Sequence, residues 1–481
     1  MIMSKEFFTK ALASVSFSVG KSDGSLSVYH EVEDDVFKEV DLCIDSRALV
    51  PGELFFALQG TQSDGHEFIV PALENGASGI VISDKEKLKA VPSYLLENKI
   101  IIQVADTYQA LIALAKAWRQ RLTIPMVAIT GSVGKTSTKE MTRFILEQAG
   151  VNVYASFKNQ NNLLGLCLNI LKVKQSHEVA VFEVGINERG EMEEMVDILR
   201  PTLALITCIA HAHGQGLGSL PGIFAEKRLI FKHLTVSDVG IIFGDQDIFL
   251  QASYHHPIAK FGFKTKNQVQ ARKVCITSNE QGDFLTSFVL KWYGYKETVT
   301  IKGNHRGMVS NVLAASTIAY LLRVPFEVIV RALPIYNGVE QRFEIKKIVK
   351  NRGCLISDCY NANPESMKAA LLAFNQMETK GAKIAVLGDM LELGHKELYW
   401  HRQIGRVLRK MQGIDRLILV GDRARHIAQT APSWLPVLLA HDWQEAGQLL
   451  EQSLIGGGQN LVLVKASHGV QLGKMVETFV S

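Results

Sequence analysis

The stretch Ile124–Gln148, which reads IPMVAITGSVGKTSTKEMTRFILEQ, decides the fold of this chain. Its first part, Pro125–Thr130, is short and apolar, which is typical of a buried parallel strand. Gly131–Thr136 (GSVGKT) then turns the chain, and a helix follows whose apolar residues recur at helical spacing. A strand, a glycine turn and an amphipathic helix in this order predict a phosphate-binding loop.

The chemistry of the turn fits a nucleotide. Backbone N–H groups at the helix N-terminus point at anionic oxygens, Lys135 adds a point charge, and the hydroxyl of Thr136 can hold Mg²⁺. The strict pattern G-x-x-x-x-G-K-[ST] is not met, because Ile129 lies five residues before Gly134. We interpret the shorter T-G-x-x-G-K-T-S as nucleotide-binding because of the strand and helix that flank it. The predicted nucleotide-binding residues of the loop are Thr130, Gly131, Ser132, Val133, Gly134, Lys135 and Thr136.

Length and composition limit the class of protein. A chain of 481 residues implies about three domains. The net charge is +4 and no basic tract with interleaved aromatics occurs, so we expect no nucleic-acid partner. Six cysteines without a CxxC pair favour reduced thiols in a cytosolic protein. Since no apolar run approaches the ~20 residues of a membrane span, we predict a soluble, cytoplasmic protein.

The alternation of strand and helix patterns divides the chain into three units. Residues 1–123 predict a small α/β layer. Residues 124–333 carry the phosphate loop on a mainly parallel sheet with added hairpins. Residues 334–481 predict a doubly wound sheet, whose ligands bind beyond the carboxyl ends of the strands. At the N-terminus, Ala11–Val19 lacks the apolar core of a signal peptide, and we interpret it as a helix and a turn.

An acidic residue interrupts an apolar strand in the central unit. Glu183 lies within VAVFEVG at residues 179–185, and a buried carboxylate is costly unless it is paired or binds a metal. A salt bridge to a lysine or arginine is one interpretation. We favour Mg²⁺, because a hard cation beside phosphate prefers carboxylate oxygens. His211 and His213 follow the next strand in a glycine-rich loop, but zinc would need further ligands.

Two polar segments and one lysine complete the candidates. Asn159–Gly165 (NQNNLLG) predicts a helix entry with spare amides for a ligand. Asp358 ends a strand and is followed by Tyr360–Ser366 (YNANPES), where Asn-Pro suits the start of a helix. A helix entry with Asn363 as its cap explains Asn363 and Pro364 but leaves Asp358, Tyr360 and Asn361 without a reason. Lys227, from the residues alone, is a solvated lysine on a helix.

These motifs resemble those of the Mur ligase family, nearly from end to end. The matching segments are DSR (45–47), PGELFFALQG (51–60), DGHEF (64–68), TGSVGKTS (130–137), NQNNLLG (159–165), FEVGINERGE (182–191), AHGQGLGS (212–219), QRFE (341–344), DCYNANPES (358–366), VLGDMLELG (386–394) and LVKASHG (463–469).

The resemblance implies an α/β protein of three domains. These are a small UDP-sugar-binding domain (1–123), a central P-loop ATPase (124–333) and a C-terminal Rossmann-like domain that takes the amino acid or dipeptide (334–481). It also implies an ATP- and Mg²⁺-dependent ligase of peptidoglycan precursor synthesis, acting as a monomer. This enzyme would join D-alanyl-D-alanine (D-Ala-D-Ala) to UDP-N-acetylmuramoyl-tripeptide through an acyl phosphate, forming ADP and phosphate.

The resemblance further implies roles for single residues. Ser46 and Arg47 match a pair that meets the uridine end of the substrate. Further substrate-binding candidates are Asn159, Asn161 and Asn361. The implied nucleotide contacts beyond the loop are Asn311 and Arg342, with Asp358 near the ATP ribose.

The implied metal and catalytic residues lie in the central unit. Thr136 matches the ligand of a first Mg²⁺, and Glu183 and His213 match the ligands of a second. Lys227 matches a lysine that family members carry as a carbamate, an anion able to ligate Mg²⁺. The implied catalytic set is Lys135, Lys227, His213 and Asp358.

Three alternatives stay open. The first is a sibling ligase that adds a single amino acid, or a folylpolyglutamate-type ligase. The second is a nucleotide-driven switch or kinase that uses the same loop. The third is a non-catalytic scaffold, suggested by departures from the family pattern such as Cys208 where an asparagine is usual.

Overall fold

The computed structural model describes residues 7, 10–12, 17–22, 29–30, 41–60, 63–211, 214–278, 284–303, 306–456 and 459–480. The chain divides into two compact units. One comprises residues 1–126, 156–180 and 194–200, and the other comprises residues 127–155, 181–193 and 201–481.

The N-terminal sheet has the strand order β2-β1-β6-β5-β4-β3. Its strands are β1 (Phe17–Ser22), β2 (Tyr29–His30), β3 (Leu42–Cys43), β4 (Leu54–Phe56), β5 (Gly79–Ile82) and β6 (Ile100–Val104). Strands β3 to β6 are parallel, whereas β1 is antiparallel to β6. Its helices are α1 (Ile69–Glu74), α2 (Ser93–Leu96) and α3 (Thr107–Arg121). The short strands β4 (LFF) and β5 (GIVI) are apolar and buried along their whole length. They contribute to an apolar core beneath the sheet.

The central sheet has the strand order β15-β14-β13-β12-β11-β10-β7-β9-β8. Its strands are β7 (Met126–Thr130), β8 (Val153–Ala155), β9 (Val179–Glu183), β10 (Leu203–Ile206), β11 (Val239–Phe243), β12 (Ile258–Gly262), β13 (Val269–Ser278), β14 (Phe284–Trp292) and β15 (Tyr295–Lys302). Neighbouring strands in the run β7-β10-β11-β12-β13 are parallel. Strands β13, β14 and β15 form an antiparallel meander.

Seven helices of the described chain belong to the same stretch of sequence. They are α4 (Lys135–Gln148), α5 (Leu163–Lys172), α6 (Glu191–Leu199), α7 (Gly214–Leu217), α8 (Leu220–Arg228), α9 (Arg306–Leu321) and α10 (Phe326–Ala332). Helix α9 packs along α4, and α5 packs against α3, where Trp118 Nε1 donates to the carbonyl of Val173 at 2.9 Å.

The C-terminal sheet has the strand order β16-β17-β21-β18-β19-β20. Its strands are β16 (Glu344–Lys347), β17 (Gly353–Asp358), β18 (Lys383–Gly388), β19 (Arg416–Val420), β20 (Val437–Ala440) and β21 (Asn460–Lys465), and its helices are α11 (Pro364–Gln376), α12 (Glu397–Leu408), α13 (Trp443–Ser453) and α14 (Leu472–Phe479). Successive strand residues enter two separate cores, for example Leu355 and Ile356. The sheet is therefore covered on both faces, as parallel strands require.

Short 3₁₀ helices connect these elements. They are Ser46–Ala48, Gly65–Phe68, Lys85–Ala90, Leu229–Phe231, Asp247–Gln251, Leu333–Ile335, Val349–Asn351, Gly394–Lys396, Ala424–Ile427 and His468–Val470. No helix in the described ranges is both long and apolar enough to cross a bilayer.

The predicted α/β class, the mainly parallel central sheet with added hairpins and the doubly wound C-terminal sheet are confirmed. The prediction of a helix and turn over Ala11–Val19 is wrong at its end, because β1 begins at Phe17. Apolar and polar residues alternate along FSVGKS, and pairing with β6 decides in favour of the strand. The turn expected before it lies outside the described residues. The domain boundaries at 123/124 and 333/334 stay a prediction.

Candidate functional site

The predicted phosphate loop connects a buried strand to a helix. All five residues of β7 are buried, and α4 begins at Lys135 directly after the turn. Gly131 and Gly134 have φ of +146° and +88°, in the region that favours glycine. Since none of the described side chains caps α4, the N–H groups of its first turn remain available to an anion.

Close neighbours make both glycines necessary. A Cβ on Gly131 would lie 1.9 Å from Oγ1 of Thr207, and a Cβ on Gly134 would lie 2.4 Å from Oδ1 of Asn311. Asn311 comes from α9, so this predicted nucleotide contact does lie against the loop. A larger residue at either glycine would displace side chains that shape the site.

The segment that follows β10 holds the loop. Ser132 Oγ donates to the carbonyl of Ala210 and accepts the N–H of the same residue, both at 2.9 Å. The N–H of Ser132 donates to the carbonyl of Cys208 at 2.9 Å, and Thr207 Oγ1 donates to the carbonyl of Val133 at 2.6 Å. The protein's own hydrogen bonds thus fix the turn, so the loop is preorganised.

Four charged or polar side chains meet at the start of α4. Thr136 Oγ1 donates to Oε2 of Glu183 at 2.6 Å, and Nη2 of Arg342 donates to the same hydroxyl at 2.7 Å. Lys135 Nζ donates to the carbonyl of Gly131 at 3.0 Å. Thr136 and Glu183 are 5% and 3% exposed. A buried carboxylate and hydroxyl thus lie beside an ammonium and a guanidinium group.

The lysines of this site are electrostatically unusual. Burial lowers the pKa of Lys135, and the charge of Arg342 lowers it further, while Glu183 opposes both. Lys227 on α8 is only 1% exposed, and burial together with the charge of Lys135 lowers its pKa to about 7. The expectation of a solvated Lys227 is therefore wrong. Its Nζ has no hydrogen-bond partner among the described residues, so it is a buried amine that is partly uncharged near neutral pH.

Asp358 lies at the carboxyl end of β17 and joins two elements. Its Oδ1 accepts the N–H of Phe343 at 3.3 Å, and its Oδ2 pairs with Nζ of Lys465 at 2.7 Å. Lys465 ends β21, is 1% exposed, and also donates to the carbonyl of Asn361 at 3.1 Å. The carboxylate therefore positions the segment that carries Arg342.

A cavity of about 500 Å³ lies beside the phosphate loop. Six of the predicted residues line this one space, namely Val133, Gly134, Asn311, Arg342, Asp358 and Asn361. Cys208 lines it as well, and burial raises the pKa of its thiol. This volume is within the range of small-molecule sites.

Four predicted substrate residues belong to the other compact unit. Ser46 is buried, whereas the side chain of Arg47 is 87% exposed and pairs with Asp45 at 2.8 Å. Asn161 donates its backbone N–H to the carbonyl of Asn159 at 2.8 Å in the turn that enters α5.

The predicted metal set is only partly described. Thr136 and Glu183 are in contact, but His213 lies outside the described residues. Over the part of the chain that the structure covers, no three His, Cys, Asp or Glu side chains converge as a metal cluster. His211 instead packs on the ring of Trp400, with ring centroids 4.9 Å apart.

Sequence reasoning missed two residues of this site. Lys465 follows four apolar residues in the buried strand NLVLVK. A buried lysine needs a partner, so the strand pattern could have indicated an ion pair. The ring of Tyr360 lies under the guanidinium of Arg342, with Cζ 4.1 Å from the ring centroid. No sequence signal indicates that contact.

Three family models match this chain in succession. They are described as Mur ligase family, catalytic domain (residues 41–119), Mur ligase middle domain (129–319), and Mur ligase, glutamate ligase domain (341–468).

Curated relatives match over most of their length. The UDP-N-acetylmuramoyl-tripeptide–D-alanyl-D-alanine ligase of Bacillus subtilis (strain 168) is 33% identical over 91% of this chain and 92% of its own. The ligase of the same name from Escherichia coli (strain K12) is 32% identical over 80% and 82%. Among solved structures, MurF from Acinetobacter baumannii superimposes with a TM-score of 0.83 at 25% identity, covering 99% of this chain and 98% of that one.

Proposed function

Because this chain belongs to the Mur ligase family, we propose that it joins D-alanyl-D-alanine to UDP-N-acetylmuramoyl-tripeptide, with ATP consumed to ADP and phosphate. The observation that carries the proposal is the cluster of Lys135, Thr136, Glu183 and Arg342 at the head of a preorganised phosphate loop. The relatives that match over most of the chain carry the name of this ligase. Their shared name supports the same substrates for this chain. The reaction is a step of peptidoglycan precursor synthesis.

The reaction needs activation because a carboxylate is a poor acyl donor, its leaving group being oxide. The terminal carboxylate of the tripeptide takes a phosphoryl group from ATP and becomes an acyl phosphate. The free amine of the dipeptide then attacks the carbonyl carbon, and phosphate leaves through a tetrahedral intermediate. Negative charge accumulates on phosphoryl oxygens, so this chain contributes mainly positioned cations and N–H donors.

The residues of the loop fit a nucleotide with Mg²⁺. Thr136 and Glu183 offer a buried hydroxyl and carboxylate, the oxygen donors that this ion prefers. Bound there, Mg²⁺ would neutralise phosphoryl charge and orient the transferred group. Lys135 would move from the carbonyl of Gly131 to the phosphates, and backbone N–H groups of Thr130–Thr136 would hold them.

Three of the other proposed roles belong to residues that line the cavity. Asn311 and Arg342 contact the nucleotide, and Asp358 lies near its ribose. The uncharged amine of Lys227 would add to the carbon of CO₂ and release a proton, and the oxygens of the resulting carbamate would be able to hold Mg²⁺. Its burial, lowered pKa and lack of a described hydrogen-bond partner support this role. We also retain His213 as a ligand of the second Mg²⁺.

Substrate binding is proposed for two regions. Ser46, Arg47, Asn159 and Asn161 would meet the UDP-sugar peptide, and Asn361 would meet the substrate near the cavity. The corresponding domains are 1–123 for the UDP-sugar, 124–333 for ATP and 334–481 for the dipeptide. The three separate sheets and the three successive family regions support these boundaries.

We place the protein in the cytoplasm, where ATP is available. All six cysteines are free, as expected of a protein in a reducing compartment. A monomer is the expected state, and light scattering of the purified protein checks it.

A coupled phosphate-release assay tests the function. Purified protein with ATP, Mg²⁺ and UDP-N-acetylmuramoyl-tripeptide is expected to release phosphate only when D-Ala-D-Ala is also present, with equimolar amide product. Single amino acids and folate acceptors serve as controls. Turnover with a single amino acid alone would indicate a sibling ligase. Phosphate release without peptide substrates would indicate a nucleotide-driven switch. Absence of turnover with intact substrate binding would indicate a non-catalytic scaffold.

A further inference from the structure

Arg342 lies on a short segment whose backbone is held in an unusual conformation. Its neighbours Gln341 and Phe343 both have φ of +56°, which is the left-handed region that a residue with a Cβ seldom adopts. Glu344 accepts the N–H of Gln341 at 3.0 Å, and Asp358 accepts that of Phe343 at 3.3 Å. The surrounding structure thus imposes the direction in which Arg342 leaves the backbone.

Tyr360 contacts this segment twice. Its N–H donates to the carbonyl of Gln341 at 3.3 Å, and its ring lies under the guanidinium of Arg342, 4.1 Å from Cζ to the ring centroid. The guanidinium in turn donates through Nη2 to Thr136 at 2.7 Å. Arg342 therefore spans the distance from the end of β17 in the C-terminal sheet to the first turn of α4.

The ring is the part of Tyr360 that makes this contact. The hydroxyl of Tyr360 is buried and has no hydrogen-bond partner among the described residues, whereas its ring face is in direct contact with the guanidinium. A planar guanidinium stacked on an aromatic face is restricted in rotation, because the attraction to the ring is lost when the plane swings away. The Nε of Arg342 also has no hydrogen-bond partner in the described ranges, which leaves the ring and Thr136 as the contacts that orient the guanidinium.

We propose that Tyr360 is a positioning residue for phosphoryl transfer: its aromatic face holds Arg342 in the orientation in which the guanidinium meets Thr136 and the phosphates. The residues that follow β17 are then part of the transfer centre, although they belong to the sheet proposed to hold the dipeptide. The inference rests on the proposed function, since it assigns to Arg342 a contact with the nucleotide.

A double-mutant cycle tests the proposal. Tyr360→Leu removes the ring face and is expected to lower kcat/KM for ATP about 3- to 30-fold, the size of a partly buried cation–π contact. Tyr360→Phe keeps the ring and is expected to recover most of this loss. In an Arg342→Ala background, Tyr360→Leu is expected to have no further effect, because the group that it positions is gone. If turnover of Arg342→Ala is too slow to measure, the same cycle is followed by titration with ADP and Mg²⁺.

The outcomes separate this inference from the function itself. Tyr254→Leu is the matched control, since the ring of Tyr254 packs on Phe231 and its hydroxyl donates to the carbonyl of Phe249. The effects of this control should add to those of Arg342→Ala. Additive effects of Tyr360→Leu and Arg342→Ala would overturn the inference, as would a Tyr360→Phe variant as impaired as Tyr360→Leu. Failure of the wild-type protein to ligate would instead overturn the proposed function.

Discussion

Replacing Thr136 by valine removes the hydroxyl on which the proposed transfer site depends while keeping the shape of the side chain. That hydroxyl donates to Glu183 at 2.6 Å and accepts from Arg342 at 2.7 Å. Both partners are charged, and a hydrogen bond to a charged group contributes about 1.5–3 kcal/mol. Thr136 and Glu183 are 5% and 3% exposed, so water can replace little of what is lost.

The expected size of the effect follows from these contacts. Glu183 and Arg342 can approach each other in the variant and regain part of the two lost bonds, so we expect a net loss of about one such bond. At about 1.4 kcal/mol for each factor of ten, Thr136→Val should lower kcat/KM for ATP about 10- to 100-fold. Thr136→Ser keeps the hydroxyl and should recover most of the activity.

The assay is phosphate release under saturating peptide substrates with ATP varied, and circular dichroism monitors the fold. Full activity of a well-folded Thr136→Val variant would refute the reasoning, since the hydroxyl would then hold neither the carboxylate nor the metal. Equal loss in the serine variant would also refute it, because the missing methyl group and not the hydroxyl would be responsible.

Three further predictions concern the lysines of the site. Lys135→Ala should abolish phosphate release while circular dichroism shows an intact fold; retained turnover would contradict the role of its charge. With ¹³C-labelled bicarbonate, Lys227 should give a carbamate NMR signal that is absent in Lys227→Ala. Because the pKa of Lys227 is about 7, acidification protonates the amine, so the signal and the activity should fall together as the pH drops through 7. A signal and an activity that do not change with pH would contradict this role. Lys465→Met leaves the largely buried carboxylate of Asp358 without its cation and should lower the unfolding free energy by about 3 kcal/mol, the low end for a broken buried pair because Asp358 is 16% exposed. Unchanged stability in chemical denaturation would argue against the pair.

The sequence was most informative where local rules decide the structure. The glycine turn before Lys135 and the strand ahead of it were predictable, because both rest on backbone conformations and a run of apolar residues. Asn363 was predicted as a helix cap, and it accepts the N–H of Ser366 in a reciprocal capping box.

Contacts between distant parts of the chain were not predictable. Arg342 and Thr136 are 206 positions apart, and Lys465 and Asp358 are 107 positions apart. Periodicity and spacing within one element carry no information about which elements meet, so the cation–π contact of Tyr360 had no signal at all. The buried state of Lys227 was also missed, since burial of a helix face depends on what packs over it. The resemblance, and not the pattern, had marked that lysine.

The fate of oxygen atoms tests the central claim most directly. The account requires that the tripeptide carboxylate be phosphorylated before the amine attacks. With both oxygens of that carboxylate labelled with ¹⁸O, a single ligation turnover should release phosphate carrying one ¹⁸O atom and leave the other in the new amide. Ligation that proceeds with unlabelled phosphate would contradict an acyl phosphate and, with it, the role proposed for the cluster around Lys135.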